Sequence, residues 1–283
     1  MPETTTATAA GTIDLGGDLT VQRMGFGAMR ITGEGIWGEP RDPDESRAVL
    51  RRAVELGVDF IDTADSYGPE VSERLIAEAL HPYPENLVIA TKGGLVRPGP
   101  GRWDPVGRPE HLRAACEGSL RRLRLDQIPL YQLHRPDPRV PLEESLGALV
   151  GLKDEGKIRH IGLSNVDEEE LHRAMSVTPI VSVQNLFNVG NRRSEAVLDV
   201  CETEQLAFIP WAPIGQGAPG SRAVARIASA HGATTHQVAL AWLLARSTSM
   251  LPIPGTASVA HLEENIAAAS IRLTQAEVDE LGL

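Results

Sequence analysis

Eight short apolar runs recur along this chain, and no other feature constrains its fold as strongly. Most of the runs are apolar at every position, which is typical of strands buried on both faces of a parallel sheet. Amphipathic segments with helical spacing separate most of them, so the pattern predicts an α/β fold, a (β/α)8 barrel. The runs occupy 24–27, 59–62, 87–92, 128–134, 160–165, 180–185, 207–213 and 250–256.

A second feature lies ahead of the first run. Gly16 and Gly17 separate two short apolar stretches, a pattern that predicts a β-hairpin placed to plug the N-terminal end of the barrel. No low-complexity linker divides the rest of the chain. We therefore expect residues 1–11 to form a flexible tail and residues 12–283 to form a single barrel domain.

The alternative fold is a doubly wound sheet with a dinucleotide fingerprint. The stretch "GFGAMR" at 25–30 offers Gly-x-Gly, but Arg30 stands where the third glycine of the motif is needed. A loop-like stretch follows where the motif requires a helix. Both features disfavour this alternative.

Composition excludes several classes of protein. The formal net charge is −11, whereas a nucleic-acid binder usually presents a basic face. Cys116 and Cys201 lack metal-binding spacing, which fits a reducing compartment. No apolar run approaches the roughly 18 residues that span a bilayer, and the N-terminus lacks a signal-peptide pattern. We expect a cytoplasmic monomer or weak homo-oligomer with neither nucleic-acid nor membrane partners.

Polar residues stand at the ends of the apolar runs, where a barrel places its active site. Asp62, Lys92 and His134 end the second, third and fourth runs, and Tyr67 follows Asp62 by five residues. Each alone is easily explained as a capping, surface or turn residue. Barrel closure, however, would bring all four to one mouth.

The chemistry of these four side chains suits carbonyl reduction. Tyr67 is a phenol with an ordinary pKa of about 10, and we expect a nearby Lys92 ammonium to lower it. Asp62 would pair with Lys92 and keep the lysine charged. His134 would orient or polarise a carbonyl oxygen. Together they predict a proton donor aimed at an oxygen that becomes an alkoxide during hydride transfer.

Later strand ends predict a site for a hydride carrier. Asn165 and Gln184 can hydrogen-bond a carboxamide such as that of nicotinamide, and Trp211 can stack on its ring. Gly215 and Gly217 leave room for a pyrophosphate beside backbone N–H groups. The helix predicted after residue 256 could hold phosphate at its N-terminus.

Eight stretches in one order resemble the aldo-keto reductase family over about residues 12 to 270. They are "GFGAM", "FIDTADSYG", "IATKGG", "YQLHRPD", "HIGLSN", "VQNLFN", "FIPWAPIGQG" and "PIPGTASVAHLEENIAAA". The resemblance implies a TIM barrel that binds NADPH (NADP+) across its mouth. It also implies a catalytic tetrad of Asp62, Tyr67, Lys92 and His134, in which Tyr67 is general acid in reduction and base in oxidation.

The same resemblance implies the cofactor contacts. Ser164, Asn165 and Gln184 would hold the carboxamide, and Trp211 would stack on the nicotinamide. The remaining contacts would come from Ala28, Met29, Asp62, Pro213, Ile214, Gly215, Gln216, Gly217, Gly255, Thr256, Ser258, His261, Glu264 and Asn265.

One departure from the family concerns the cofactor's 2′-phosphate. The family usually grips it with Lys or Arg near the last strand, but no such residue lies between Arg246 and Arg272. NADPH stays the expected cofactor and NADH use stays open. Arg222 is a candidate replacement partner for the phosphate.

The substrate is less constrained than the reaction. Within the family, 27–42 and 258–269 are similar to bacterial pyridoxal reductase-type members, so pyridoxal, other aromatic aldehydes and a natural-product ketone are candidates. Trp37 and Trp103, with Tyr67 and His134, would line an aromatic substrate pocket, although the two tryptophans could equally pin loops.

Two other functions remain open at this point. A Schiff-base lyase or aldolase would use Lys92 as its nucleophile, although pairing with Asp62 would keep that lysine charged. A non-catalytic redox sensor would bind the cofactor and report to a partner, and the presence of all four tetrad residues argues against it.

Overall fold

The core of the barrel is built from the buried faces of its strands and of the helices packed around them. The computed structural model describes residues 5–215 and 221–282. Within these ranges the strands are β1 (Thr12–Leu15), β2 (Leu19–Gln22), β3 (Phe26–Gly27), β4 (Phe60–Asp62), β5 (Val88–Gly93), β6 (Leu95–Val96), β7 (Asp104–Pro105), β8 (Ile128–Leu133), β9 (Ile158–Ser164), β10 (Ser182–Leu186) and β11 (Ala207–Trp211).

Helices follow the barrel strands, as the amphipathic segments predicted. They are α1 (Pro43–Glu55), α2 (Val71–Leu80), α3 (Pro109–Leu123), α4 (Leu142–Asp154), α5 (Glu168–Val177), α6 (Glu195–Thr203), α7 (Arg222–His231), α8 (Thr235–Arg246), α9 (Val259–Ala267) and α10 (Gln275–Gly282). Local sequence sets several starts. Asp167 and Glu170 form a reciprocal capping box at α5, and Asp42 caps α1 with Pro43 in its first position.

The barrel sheet is parallel and runs in chain order. Over the described residues, seven strands pair in the order β3-β4-β5-β8-β9-β10-β11. The eighth predicted strand, 250–256, is irregular because Pro252 and Pro254 have no N–H to donate. It still closes the barrel: the Leu251 N–H donates to Phe208 O at 2.9 Å, and the Gly25 N–H donates to Pro252 O at 3.0 Å. The predicted (β/α)8 barrel is confirmed.

The predicted N-terminal hairpin is also confirmed. β1 and β2 pair antiparallel, and Gly16 and Gly17 form the turn with φ of +68° and +80°, a region that glycine enters without strain. Leu15 and Val21 are fully buried against residues inside the barrel, including Leu130. The hairpin therefore caps the end of the barrel opposite the carboxyl ends of its strands.

The prediction of a flexible tail over residues 1–11 is wrong for residues 7–10. Ala7–Ala10 form a 3-10 helix. The Ala7 side chain is fully buried, and its N–H donates to Leu56 O at 2.8 Å. Small residues let this segment pack against the end of α1. Across the described ranges, no helix combines the length and apolar character needed to cross a membrane.

Candidate active site

A cavity of about 530 Å³ opens at the carboxyl ends of the barrel strands, within the usual size range of small-molecule sites. Many of the predicted site residues line it: Met29, Asp62, Tyr67, Trp103, His134, Ser164, Asn165, Gln184, Trp211, Pro213, Ile214, Gly215 and Gly255. Residues that were not predicted to form the site also line it: Gly27, Arg30, Leu95, Arg135, Ala212, Ile253 and Pro254.

Lys92 lies beneath this cavity at the end of β5 and is completely buried. Its Nζ donates to Asp62 Oδ1 at 2.6 Å, to Thr63 O at 2.9 Å and to Tyr67 Oη at 3.3 Å, so all three ammonium protons have acceptors. Burial lowers the pKa of Lys92, but the adjacent Asp62 carboxylate and Tyr67 outweigh burial and the pKa is raised. The lysine therefore remains a cation at neutral pH.

Asp62 is buried and uses both of its carboxylate oxygens. While Oδ1 holds Lys92, Oδ2 accepts from Gln132 Nε2 at 3.0 Å and from Gln184 Nε2 at 2.8 Å. Gln132 was missed at the sequence level. It stands two residues before His134 along β8, and the alternation of side chains along a strand could have placed both on the same face.

Tyr67 lies in the loop between β4 and α2, with 6% of its surface exposed. We predicted that Lys92 would lower the pKa of this phenol, and that prediction is wrong in its net direction. Burial raises the pKa of Tyr67, and the Lys92 ammonium opposes this effect without outweighing it. Removing a phenol from water disfavours its anion more than one neighbouring cation favours it. Tyr67 is therefore protonated at neutral pH.

His134 follows β8 and lies edge-on to Tyr67, with ring centroids 5.8 Å apart. Its Nδ1 lies 3.3 Å from Ser66 Oγ, a partner that the sequence did not suggest. Burial and the charges of Lys92 and Arg135 hold the pKa of His134 well below 6.5, so the ring is neutral. Among the described residues, its Nε2 forms no hydrogen bond.

Asn165 links the main chain at His134 to the Trp211 side chain. It directly follows β9 in the left-handed region, with φ of +59°, which asparagine tolerates better than most residues. Its Nδ2 donates to His134 O and to Ser164 Oγ, each at 3.0 Å, and its Oδ1 accepts from Trp211 Nε1 at 3.2 Å. Asn165 thus holds the half-buried Trp211 indole against the cavity.

Several predicted cofactor residues lie away from the cavity wall. Ala28, Arg222, Thr256, Ser258, His261, Glu264 and Asn265 do not line it, and Gln216 and Gly217 lie outside the described residues. The N-terminus of α9 carries its own anion, because the Val259 N–H donates to Glu45 Oε1 at 3.2 Å. The Ser258 side chain caps the same turn.

The two loop tryptophans differ in their placement. Trp103 lines the cavity and lies edge-on to Tyr67, with centroids 6.3 Å apart, whereas Trp37 does not line it. Both rings contact the guanidinium of Arg97, whose Cζ lies 3.6 Å from the Trp103 centroid and 5.6 Å from that of Trp37. Arg97 was not identified from the sequence.

Known proteins resemble this chain over nearly its whole length. A family model described as "Aldo/keto reductase family" matches residues 23–282. An uncharacterized oxidoreductase of Schizosaccharomyces pombe is 52% identical over 98% of this chain and 91% of its own length. Pyridoxine 4-dehydrogenase of Escherichia coli is 41% identical over 92% of this chain and 93% of its own. A crystal structure of a Klebsiella pneumoniae aldo/keto reductase in complex with NADP and acetate superposes with a TM-score of 0.80 at 28% identity, covering 95% of this chain and 93% of that one.

Proposed function

This chain belongs to the aldo-keto reductase family, and from that premise we propose that it reduces an aldehyde or ketone to an alcohol, with NADPH as reductant and Tyr67 as proton donor. One observation carries the proposal. Tyr67 lines the cavity, and its hydroxyl lies 3.3 Å from the Nζ of a lysine that Asp62 keeps charged. This is the arrangement required to deliver a proton to an oxygen at the cavity wall.

The residues around the cavity fit a nicotinamide nucleotide. Trp211 offers a flat ring there, Asn165 and Gln184 offer amide groups, and the main chain of 213–215 continues the wall. In our proposal Ser164, Asn165 and Gln184 hold the carboxamide while Trp211 stacks on the ring. The cofactor, when bound, supplies the hydride to the carbonyl carbon. NADH remains a second candidate, because the region after 250 carries no Lys or Arg before Arg272 to hold a 2′-phosphate.

Each catalytic side chain has a distinct task in the proposed reaction. Tyr67 transfers its Oη proton to the substrate oxygen, and the Lys92 ammonium stabilises the phenolate that results. With a Ser66 hydroxyl donating to Nδ1, the neutral His134 carries its proton on Nε2 and can donate to the same substrate oxygen. Asp62 does not touch substrate in this scheme; it positions Lys92 and keeps it charged.

The cavity wall also suggests the class of carbonyl compound. Leu95, Trp103 and Tyr67 present apolar and aromatic surface beside His134, which favours flat aromatic aldehydes over small polar ones. Pyridoxal belongs in this class, and the name of the Escherichia coli relative, pyridoxine 4-dehydrogenase, points to the same chemistry. A natural-product ketone of similar shape is the other candidate.

The environment of Lys92 argues against the Schiff-base alternative. An amine nucleophile must be neutral and accessible, whereas Lys92 is fully buried and its pKa is raised. Borohydride trapping of a substrate carbonyl on Lys92, detected by mass spectrometry, would support a lyase instead.

A substrate panel tests the proposal directly. Purified protein is mixed with NADPH or NADH and with pyridoxal, benzaldehyde, a bulky aromatic ketone or a small aliphatic aldehyde, and cofactor oxidation is followed by absorbance. We expect NADPH-dependent formation of the alcohol, fastest with the aromatic aldehydes. Absence of cofactor oxidation with every carbonyl compound would overturn the proposed function.

A further inference from the structure

Arg97 joins three loops at the cavity mouth through backbone hydrogen bonds. Its Nε donates to Arg102 O at 2.8 Å, Nη1 donates to Ile36 O at 2.8 Å and to Ser66 O at 3.3 Å, and Nη2 donates to Gly35 O at 3.1 Å. The acceptors belong to the loops that follow β3, β4 and β5. A single side chain therefore fixes the relative positions of all three loops.

Arg97 is 8% exposed, and the described residues provide no carboxylate partner for its guanidinium. Burial accordingly lowers its pKa. Burying a cation without an anion is costly unless other groups replace water. Here four carbonyl oxygens and the faces of Trp37 and Trp103 replace it. A fixed planar cation between two indoles is a specific arrangement that lysine cannot reproduce.

Two of the residues that Arg97 contacts, Trp103 and Ser66, also contact the proposed catalytic side chains. Trp103, against the Arg97 guanidinium, lies edge-on to Tyr67 and to His134, with centroid distances of 6.3 and 6.4 Å. The backbone carbonyl of Ser66 accepts from Arg97, and the Ser66 hydroxyl oxygen lies 3.3 Å from His134 Nδ1. Arg97 therefore reaches Tyr67 and His134 through one intervening residue on each side.

We propose that Arg97 is a positioning residue that holds Trp103 and Ser66 in place and thereby sets the preference of this enzyme for aromatic carbonyl substrates. This inference rests on the proposed reductase function. It predicts that loss of the guanidinium leaves cofactor binding intact, because none of the residues that Arg97 contacts is a proposed cofactor contact. Turnover of aromatic substrates should suffer most, since Trp103 forms their wall.

The test compares Arg97→Met and Arg97→Lys with a control in the same loop, Arg102→Met. The Arg102 side chain is exposed, and its one acidic partner within 5–215 and 221–282 is the exposed Asp104, at 3.5 Å. We expect both Arg97 variants to lose about 10- to 100-fold in kcat/KM for benzaldehyde, a typical cost of misplaced positioning groups. A small aliphatic aldehyde should lose much less, and the KM for NADPH should stay unchanged. The control should behave as wild type.

A double-mutant cycle with Trp103→Phe separates positioning from general damage. Because Arg97 acts partly through Trp103 and partly through Ser66, the loss in the double variant should be clearly smaller than the sum of the two single losses. Equal losses for aromatic and aliphatic aldehydes, additive losses in the cycle, or wild-type preference in Arg97→Met would each overturn the inference. Arg97→Lys provides the result if Arg97→Met does not fold. If wild type itself reduces no carbonyl compound, the proposed function fails first and this inference falls with it.

Discussion

At the scale of single residues, the acidity of Tyr67 reflects a competition between burial and the charge of Lys92. Burial raises the phenol's pKa, and the ammonium 3.3 Å away lowers it by a smaller amount. In the proposed reaction the proton is thus retained until the substrate oxygen gains negative charge, when Lys92 can stabilise the phenolate. A proton donor for reduction needs this order, because a phenol ionised at neutral pH would have no proton to give.

The pH dependence of the reaction follows from these two ionisations. The pKa of Tyr67 lies above its ordinary value of 10.0, and that of His134 lies well below 6.5. Between these two values Tyr67 stays protonated and His134 stays neutral. We expect kcat/KM for reduction to be flat from pH 6.5 to 10 and to fall only at higher pH, whereas alcohol oxidation should rise with pH. A reduction rate that falls through pH 7 to 8 would contradict the account.

Removing Lys92 should affect stability and activity together. Lys92→Met leaves the buried Asp62 carboxylate without its cation, which we expect to cost about 3–5 kcal/mol in the free energy of unfolding. Activity should drop about 100-fold or more, because the phenolate loses its stabilising charge. Urea unfolding and NADPH oxidation measure the two effects.

The double variant Asp62→Asn, Lys92→Met is the matched control for that experiment. It removes both charges, so most of the lost stability should return while activity stays low. If the double variant is as unstable as Lys92→Met, an unpaired buried Asp62 carboxylate is not the cause of the lost stability.

How far residue roles can be predicted from sequence depends on the range of their contacts. Asp62, Lys92 and His134 are recognisable because each ends an apolar run, and barrel closure alone brings such positions together. Arg97 is not recognisable from the sequence. Its hydrogen-bond acceptors lie in irregular loops, 31 to 62 positions earlier in the chain and, for Arg102, 5 positions later. The net pKa direction of Tyr67 also escapes sequence, because it depends on how completely the phenol is buried.

At the scale of elements, the N-terminus of α9 bears on the choice between NADPH and NADH. Such termini attract anions, but this one already holds the Glu45 carboxylate on the Val259 N–H. If the 2′-phosphate of NADPH binds there, as the family resemblance implies, Glu45 must compete with it. We therefore regard Glu45 as a discriminator between NADPH and NADH.

Neutralising Glu45 tests this role. We expect Glu45→Gln to raise the affinity for NADPH about 2- to 5-fold, which corresponds to the usual 0.3–1 kcal/mol of a helix-terminus charge, and to leave NADH binding unchanged. Asp44→Asn is the control, because Asp44 is exposed and pairs with Arg47 at 2.7 Å. Fluorescence titration with each cofactor gives the ratio. An unchanged ratio in Glu45→Gln would exclude Glu45 from cofactor selection.

The element boundaries show what periodicity can and cannot predict. Apolar runs identified the strand positions because a parallel sheet buries both faces. They could not show that 250–256 closes the barrel without a regular ladder, since that outcome depends on where Pro252 and Pro254 fall relative to the partner strands. The sequence likewise did not predict the small β6–β7 hairpin, because each of its strands spans only two residues. Leu95 and Trp103 of this hairpin line the cavity.

At the scale of the whole molecule, the two ends of the barrel differ in what they hold. The β1–β2 hairpin, with Leu15, closes one end. At the opposite end, residues that follow β4, β5, β8, β9 and β11 line one cavity. Residues far apart in sequence, such as Asp62 on β4 and Gln184 on β10, meet only because the sheet closes. The central claim, that this mouth reduces a carbonyl with a proton from Tyr67, therefore concerns the complete fold.

Single-turnover kinetics on wild type and Tyr67→Phe, each preloaded with NADPH, test that claim most directly. Fluorescence titration first establishes that both bind NADPH equally. We predict that wild type converts an aromatic aldehyde to its alcohol with one NADPH oxidised per alcohol formed, and that Tyr67→Phe is slower by about 100-fold or more. Turnover by Tyr67→Phe at the wild-type rate, or loss of aldehyde without oxidation of NADPH, would contradict it.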